Sequence, residues 1–118
     1  MNTITKDETF QFLGHSLRVV IDRPLGWQDS RFKRAYPLNY GFVPGFLSPD
    51  GEEVDAYVLG EDQPLQEFEG LCIAIVERLD DEENKLVIAK PGYFWSEAEI
   101  RRQIDFIEQY FCSRIVMA

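Results

Sequence analysis

Up to about residue 90 the apolar positions fall in short runs separated by Gly, Pro and acidic clusters, a pattern that predicts strands and turns. Residues 10–13 and 16–21 flank Gly14-His15 and are expected to form a hairpin about that turn. Residues 22–35 read as a loop containing Pro24, Gly26 and the mixed run Arg31-Phe32-Lys33-Arg34. Residues 36–47 are extended, but Pro37, Gly41, Pro44 and Gly45 interrupt them, so the segment must bend. Ser48-Pro49-Asp50-Gly51 fits a turn. Residues 54–59 and 71–79 are expected as buried strands, and a polar loop with Gly60, Pro64 and Gly70 joins them. A hairpin loop over 80–84 then leads into an apolar strand at 85–89.

The period changes after residue 95. Ser96-Glu97-Ala98-Glu99 is a capping box, with Ser96 as N-cap and Glu99 three residues on. Ile100, Ile104, Ile107 and Phe111 follow at helical spacing on one face, and residues 113–117 return as a short strand. Strands at short spacing with one late helix predict a mainly β (α+β) fold, a small barrel with the C-terminal helix packed on it.

Composition narrows the class. A chain of 118 residues with 45% apolar residues implies one domain spanning residues 1–118 with a core of its own. The net charge of −9 argues against nucleic acid or an anionic membrane as partner. No apolar run approaches the ~20 residues of a membrane helix. The N-terminal residues do not read as a secretory signal, so a cytoplasmic location is expected. Cys72 and Cys112 lack metal-type spacing, and Cys72, within an apolar run, is expected to pack as a small hydrophobe.

The chemistry concentrates in Asp50-Gly51-Glu52-Glu53-Val54-Asp55, where carboxylates crowd the entrance to a predicted strand. Like charges so placed need either water or a cation, and hard divalent cations prefer carboxylate oxygen. Just upstream stands Tyr36-Pro37-Leu38-Asn39-Tyr40-Gly41-Phe42-Val43-Pro44. Taken together, these segments resemble the soluble, Mg²⁺-dependent inorganic pyrophosphatases, whose signature is Tyr-Pro-x-Asn-Tyr-Gly, then Asp-Gly-Asp-Pro-x-Asp and an apolar strand. Weaker likeness continues through the acidic hairpin 80–85 and through Asp105-Phe-Ile-Glu-Gln-Tyr110.

The resemblance implies a five-stranded OB-like barrel, Mg²⁺ as cofactor, a small phosphate substrate and assembly as a homo-oligomer. It also implies roles. Asp50 and Asp55 match the outer, metal-binding aspartates of the signature, and Glu52 stands at the position of the general base. Asp80 and Glu83 fit a second metal-binding pair, with Asp81 or Glu82 as alternatives after a one-residue slip. Lys85 fits a phosphate-binding lysine, and Tyr40 and Tyr110 fit tyrosines that contact phosphate or water. Arg31 or Arg34 fits an arginine that precedes the Tyr-Pro segment, Lys90 is a further cation in reach, and Asp22 matches an early acidic residue after a Val-rich strand.

The departures are specific. Glu52 stands where the family has Asp, so its carboxylate lies ~1.5 Å further out on an unmoved backbone. Residues 22–35 leave no room for a family hairpin that carries a Lys and a Glu. The family's Tyr-Lys pair is Tyr110-Phe111 here. The acidic cage is thus better kept than the phosphate clamp. Two rivals to pyrophosphate hydrolysis follow: a hydrolase of another small phosphoanhydride or phosphoester, and a non-catalytic barrel that retains the cage.

Overall fold

A computed structural model describes residues 2–31 and 33–118. In chain order it contains β1 (Asn2–Thr3), a 3-10 helix (Asp7–Phe12), β2 (Ser16–Arg23), β3 (Gln28–Asp29), β4 (Arg34–Ala35), β5 (Asn39–Leu47) and β6 (Glu53–Val58). β7 (Glu67–Arg78), β8 (Lys85–Ala89), α1 (Glu97–Glu108) and β9 (Ser113–Met117) follow. Met1 and the Phe32 of the mixed-charge run lie outside the described residues.

Strands β5, β2, β7, β8 and β6 pair in that order, and β5 pairs with β6 to close the ring. The result is the expected five-stranded barrel with one C-terminal helix. All of these pairings are antiparallel except β6 with β8. β9 extends the sheet along β7.

Alternation along the strands sorts the apolar residues into two layers. Val19, Ile21, Val43, Val54, Ala56, Leu86 and Ile88 fill the barrel interior with Phe12, Phe68, Cys72 and Ile75. Tyr40, Tyr57, Val76, Val87 and Ala89 face outward and are covered by Ile100 and Ile104 of α1. The helix begins at the expected capping box: Ser96 accepts from the Glu99 N–H, and Glu99 accepts from the Ser96 N–H. Cys72 is buried and Cys112 exposed, and both are free thiols. Among the described residues no helix is long and apolar enough to cross a membrane.

The expected strand at 10–13 is not formed; residues 7–12 make a 3-10 helix instead. A reciprocal pair of bonds starts it, the Thr5 N–H to a Glu8 carboxylate oxygen at 2.9 Å and the Glu8 N–H to the Thr5 hydroxyl at 3.1 Å. Thr5-x-x-Glu8 is itself a capping-box pattern, and it prevailed over the β-propensity of the Phe residues. The turn at 48–51 closes as expected, with the Gly51 N–H on the Ser48 carbonyl at 2.9 Å.

Candidate active site

Beside the C-terminal end of α1, on the outer face of β2, β5, β6 and β8, lies a cleft of about 390 Å³. The β6 sequence alternates, so Glu53 and Asp55 point to the same side as the helix-covered Tyr57. On β8, Lys85 takes the same side as Val87. Asp55 and Lys85 therefore meet across the parallel pair, with Nζ 2.6 Å from Oδ2. Glu83 lies 3.8 Å from the same ammonium. The cleft also carries Asp22 and Glu52. Tyr40 stands under Asp55, and Tyr110 and Phe111 close the side formed by the helix C-terminus. Five carboxylates face four cations (Arg23, Arg31, Arg78 and Lys85), so the cleft is close to neutral although the chain is strongly acidic.

The carboxyl groups perturb one another. Glu83 is pushed up to about 7, first by burial and then by its contact with the Asp50 carboxyl. That contact holds Asp50 below its usual range. Below a pH of about 7 the protonated Glu83 carboxyl can donate to the Asp50 carboxylate. The Glu83 Oε1 atom is buried and receives no hydrogen bond. Asp22 is raised by burial and by the charge of Asp55. Tyr40 is raised well above the usual range, chiefly by burial and then by Asp55, so its hydroxyl keeps its proton at neutral pH.

Behind the cleft lies a buried polar network. Glu108, fully buried near the end of α1, accepts from the Arg78 guanidinium at 2.7 and 3.3 Å and from the Tyr57 hydroxyl at 2.5 Å. Arg78 also reaches Asp81 at 3.1 Å, and its guanidinium lies 3.6 Å from the centre of the Phe111 ring. Burial alone would lower the Arg78 pKa, but the bonds to Glu108 outweigh it and raise it.

Of the residues expected from the sequence, Glu52, Asp55, Glu83, Lys85, Tyr40, Tyr110, Arg31 and Asp22 line the cleft. Asp50 does not; it is exposed, its Oδ1 caps the turn by accepting the Glu52 N–H at 2.9 Å, and it reaches the site through Glu83. Asp80 is directed elsewhere. Leu79 pairs with the Cys112 carbonyl at 2.7 Å and Asp80 accepts the Cys112 N–H at 3.0 Å, which ties this end of the hairpin to the segment after α1, and Asp80 does not line the cleft. Arg31 reaches the cleft while paired with Asp29 at 3.5 Å; Arg34 is exposed and does not. Lys90 pairs with Glu61 at 3.5 Å and lies outside the cleft.

Arg23, Arg78 and Glu53 line the site without having been expected there. A signal for Arg78 exists: Ala74, Val76 and Arg78 follow the alternation of one face of β7, and Glu108 continues the Ile100, Ile104 row of α1. One charge on each of two facing apolar rows marks a buried pair.

The donor set can be tested against a divalent cation. Among the described residues no group of three or more His, Cys, Asp or Glu side chains is drawn together to hold a metal ion unaided. The chemistry fits nonetheless. Glu83 presents a buried oxygen that receives no hydrogen bond although the Lys85 ammonium lies 3.8 Å away, and burial and the Asp50 carboxyl raise its pKa. The charge of Asp55 acts on both Glu83 and Asp22 and raises each. A buried carboxylate oxygen that receives no hydrogen bond, set among further carboxylates, is what a hard divalent ion satisfies.

A sequence model of the family described as "Pyrophosphatase: Inorganic pyrophosphatase" matches residues 17–111. An inorganic pyrophosphatase of Aeropyrum pernix is 37% identical over 59 residues, which span 48% of this chain and 34% of that protein. The match to this curated relative thus covers well under two thirds of its length. An inorganic pyrophosphatase structure from Neisseria gonorrhoeae aligns with a TM-score of 0.61 at 25% identity, covering 82% of this chain and 72% of that one. One from Ehrlichia chaffeensis aligns with a TM-score of 0.66 at 16% identity, covering 86% and 85%. The latter likeness speaks for the fold alone.

Proposed function

Since the chain belongs to the inorganic pyrophosphatase family, we propose that it hydrolyses inorganic pyrophosphate to phosphate in a Mg²⁺-dependent reaction at the cleft beside α1. The observation that carries this reading is the convergence of Asp55, Glu83, Lys85, Tyr40 and Glu52 on one cleft from separate strands and turns. Asp55 and Glu83, with Asp50 behind Glu83, would hold the cation, which when bound supplies charge neutralisation and a more acidic water.

The protein's own groups account for the rest. Lys85 is a fixed point charge held by Asp55 and suits a phosphoryl oxygen. Tyr40 keeps its proton and can donate from its hydroxyl beside Asp55. Glu52 is exposed at the cleft mouth, where a carboxylate can take a proton from water. Tyr110 and Arg31 stand at the rim and can orient the anion. The near-neutral cleft reduces the repulsion an anion meets on approaching an acidic protein.

One observation favours a second reading, a barrel that binds phosphate without turning it over: the Lys85 ammonium already sits on Asp55, the central carboxylate. Phosphate release from a panel of small phosphoanhydrides and phosphoesters, each with and without Mg²⁺, separates the two. Release from pyrophosphate alone, only with Mg²⁺, is expected. Binding without release from any member would leave the second reading. The proposal includes a cytoplasmic location and self-association as a homo-oligomer, the latter checked by sedimentation.

A further inference from the structure

Consecutive residues on a strand normally face opposite sides, yet Asp22 and Arg23 both line the cleft. The register explains it. Ile21 pairs with Gly41 and Arg23 with Tyr40, so Asp22 is an inserted residue and β2 carries a bulge. The strands come very close there; a Cβ on Gly41 would lie 1.9 Å from the Val20 carbonyl oxygen. The bulge turns Arg23 from the strand edge into the site.

The surroundings of Arg23 are unlike those of the other cations in the cleft. Its guanidinium lies 4.8 Å from the centre of the Trp27 ring and 5.8 Å from those of Tyr36 and Tyr40. One N–H donates to the Tyr36 hydroxyl at 2.7 Å. Arg31, Arg78 and Lys85 each form an ion pair with a carboxylate; among the described residues Arg23 forms none. Aromatic faces hold a planar cation in position without neutralising it. Most of the five donors of the fork therefore remain for a ligand, in a half-buried setting where charge-assisted bonds are strong.

We propose that Arg23 is a substrate-binding residue for a phosphoryl anion, gripping one end of a bridged diphosphate while Lys85 serves the other. The two cations flank Tyr40 and Asp55 on the neighbouring strands β2, β5, β6 and β8. A bidentate guanidinium matches the paired oxygens of a phosphoryl group. It restores a positive charge that the loss of lysines in this chain removes. The diphosphate assignment rests on the function proposed above; the anion assignment rests on Arg23 itself.

The test is titration with imidodiphosphate, a bridged diphosphate with a nitrogen bridge, in the presence of Mg²⁺, beside steady-state hydrolysis of pyrophosphate. Arg23→Gln is expected to weaken binding about 10- to 100-fold, the worth of a charged hydrogen-bonded pair, and to raise KM alike while kcat changes less than about threefold. Arg23→Lys keeps the charge but not the fork, and should fall between Arg23→Gln and wild type; it also guards against misfolding of the neutral variant. Arg18→Gln, which alters an exposed ion pair with Glu67, should match wild type. If Arg23→Gln is folded and binds as tightly as wild type, the assignment is wrong, whether or not the wild type hydrolyses pyrophosphate. Arg23-dependent binding without phosphate release would uphold the assignment and overturn the hydrolase reading. A wild type that binds no such anion overturns both.

Discussion

Glu108 illustrates how charge is held in this protein at the scale of single residues. It is fully buried, and Arg78 and Tyr57 engage it. Breaking such a pair leaves an uncompensated charge, so Glu108→Gln should cost about 3–5 kcal/mol in denaturant unfolding. The other partner of Arg78, Asp81, is partly exposed, and Asp81→Asn should cost less than about 1 kcal/mol. Equal losses would contradict the assignment of Glu108 as the principal partner. Glu83 makes a second prediction. Its value rises from 4.5 unfolded to about 7 folded, so between these pH values the folded state holds a proton that the unfolded state has lost. Stability without divalent cation should therefore fall as pH rises from about 4.5 to 7 and level off above. Asp22, also raised, acts in the same direction. Melting curves of Glu83→Gln across this range should lose most of that slope. An unchanged slope would remove Glu83 as its source.

Among the elements, the bulge in β2 and the α1 cap are the local features that the site depends on. Gly41→Ala places a methyl group 1.9 Å from a backbone oxygen that no side-chain adjustment can relieve. The β2–β5 pairing should then open, with loss of the folded circular dichroism spectrum at physiological temperature; a native-like Gly41→Ala protein would show that the close approach is dispensable. Ser96→Ala removes one half of the capping box and should cost only about 1 kcal/mol. What was legible in the sequence follows the same division. The α1 cap and its Ile100 and Ile104 face, the strand at 85–89 and the turn at 48–51 could be read because local pattern and tertiary context agree there. The 3-10 helix at 7–12 was missed because apolar spacing outweighed the Thr5/Glu8 cap. Arg23 was missed because a bulge shifts the side of every later residue, and the bulge is set by pairing with Gly41, which periodicity along one strand does not show. Asp80 fits the site by sequence likeness alone, and its bond to the Cys112 N–H depends on a segment 32 residues further along the chain.

For the whole molecule, a closed barrel brings residues from distant segments to one face. Asp22, Tyr40, Asp55 and Lys85 meet only because β2, β5, β6 and β8 are joined through the ring. Glu52 sits on the turn before β6, outside the closed ladder. If the site is built around the longer side chain, Glu52→Asp withdraws the carboxylate from the reacting water and should lower kcat more than it changes KM. A rise in kcat would instead mark Glu52 as a defect in the site. Asp55 pairs with Lys85, lies beside the Tyr40 hydroxyl and adds its charge to the field at Glu83 and Asp22. The decisive measurement is phosphate release from pyrophosphate with Mg²⁺ by wild type and Asp55→Asn proteins of equal purity and fold. The wild type is expected to release phosphate only with Mg²⁺, and Asp55→Asn to lose about 100-fold or more of that release. Equal release by the two proteins would contradict the proposed role of Asp55.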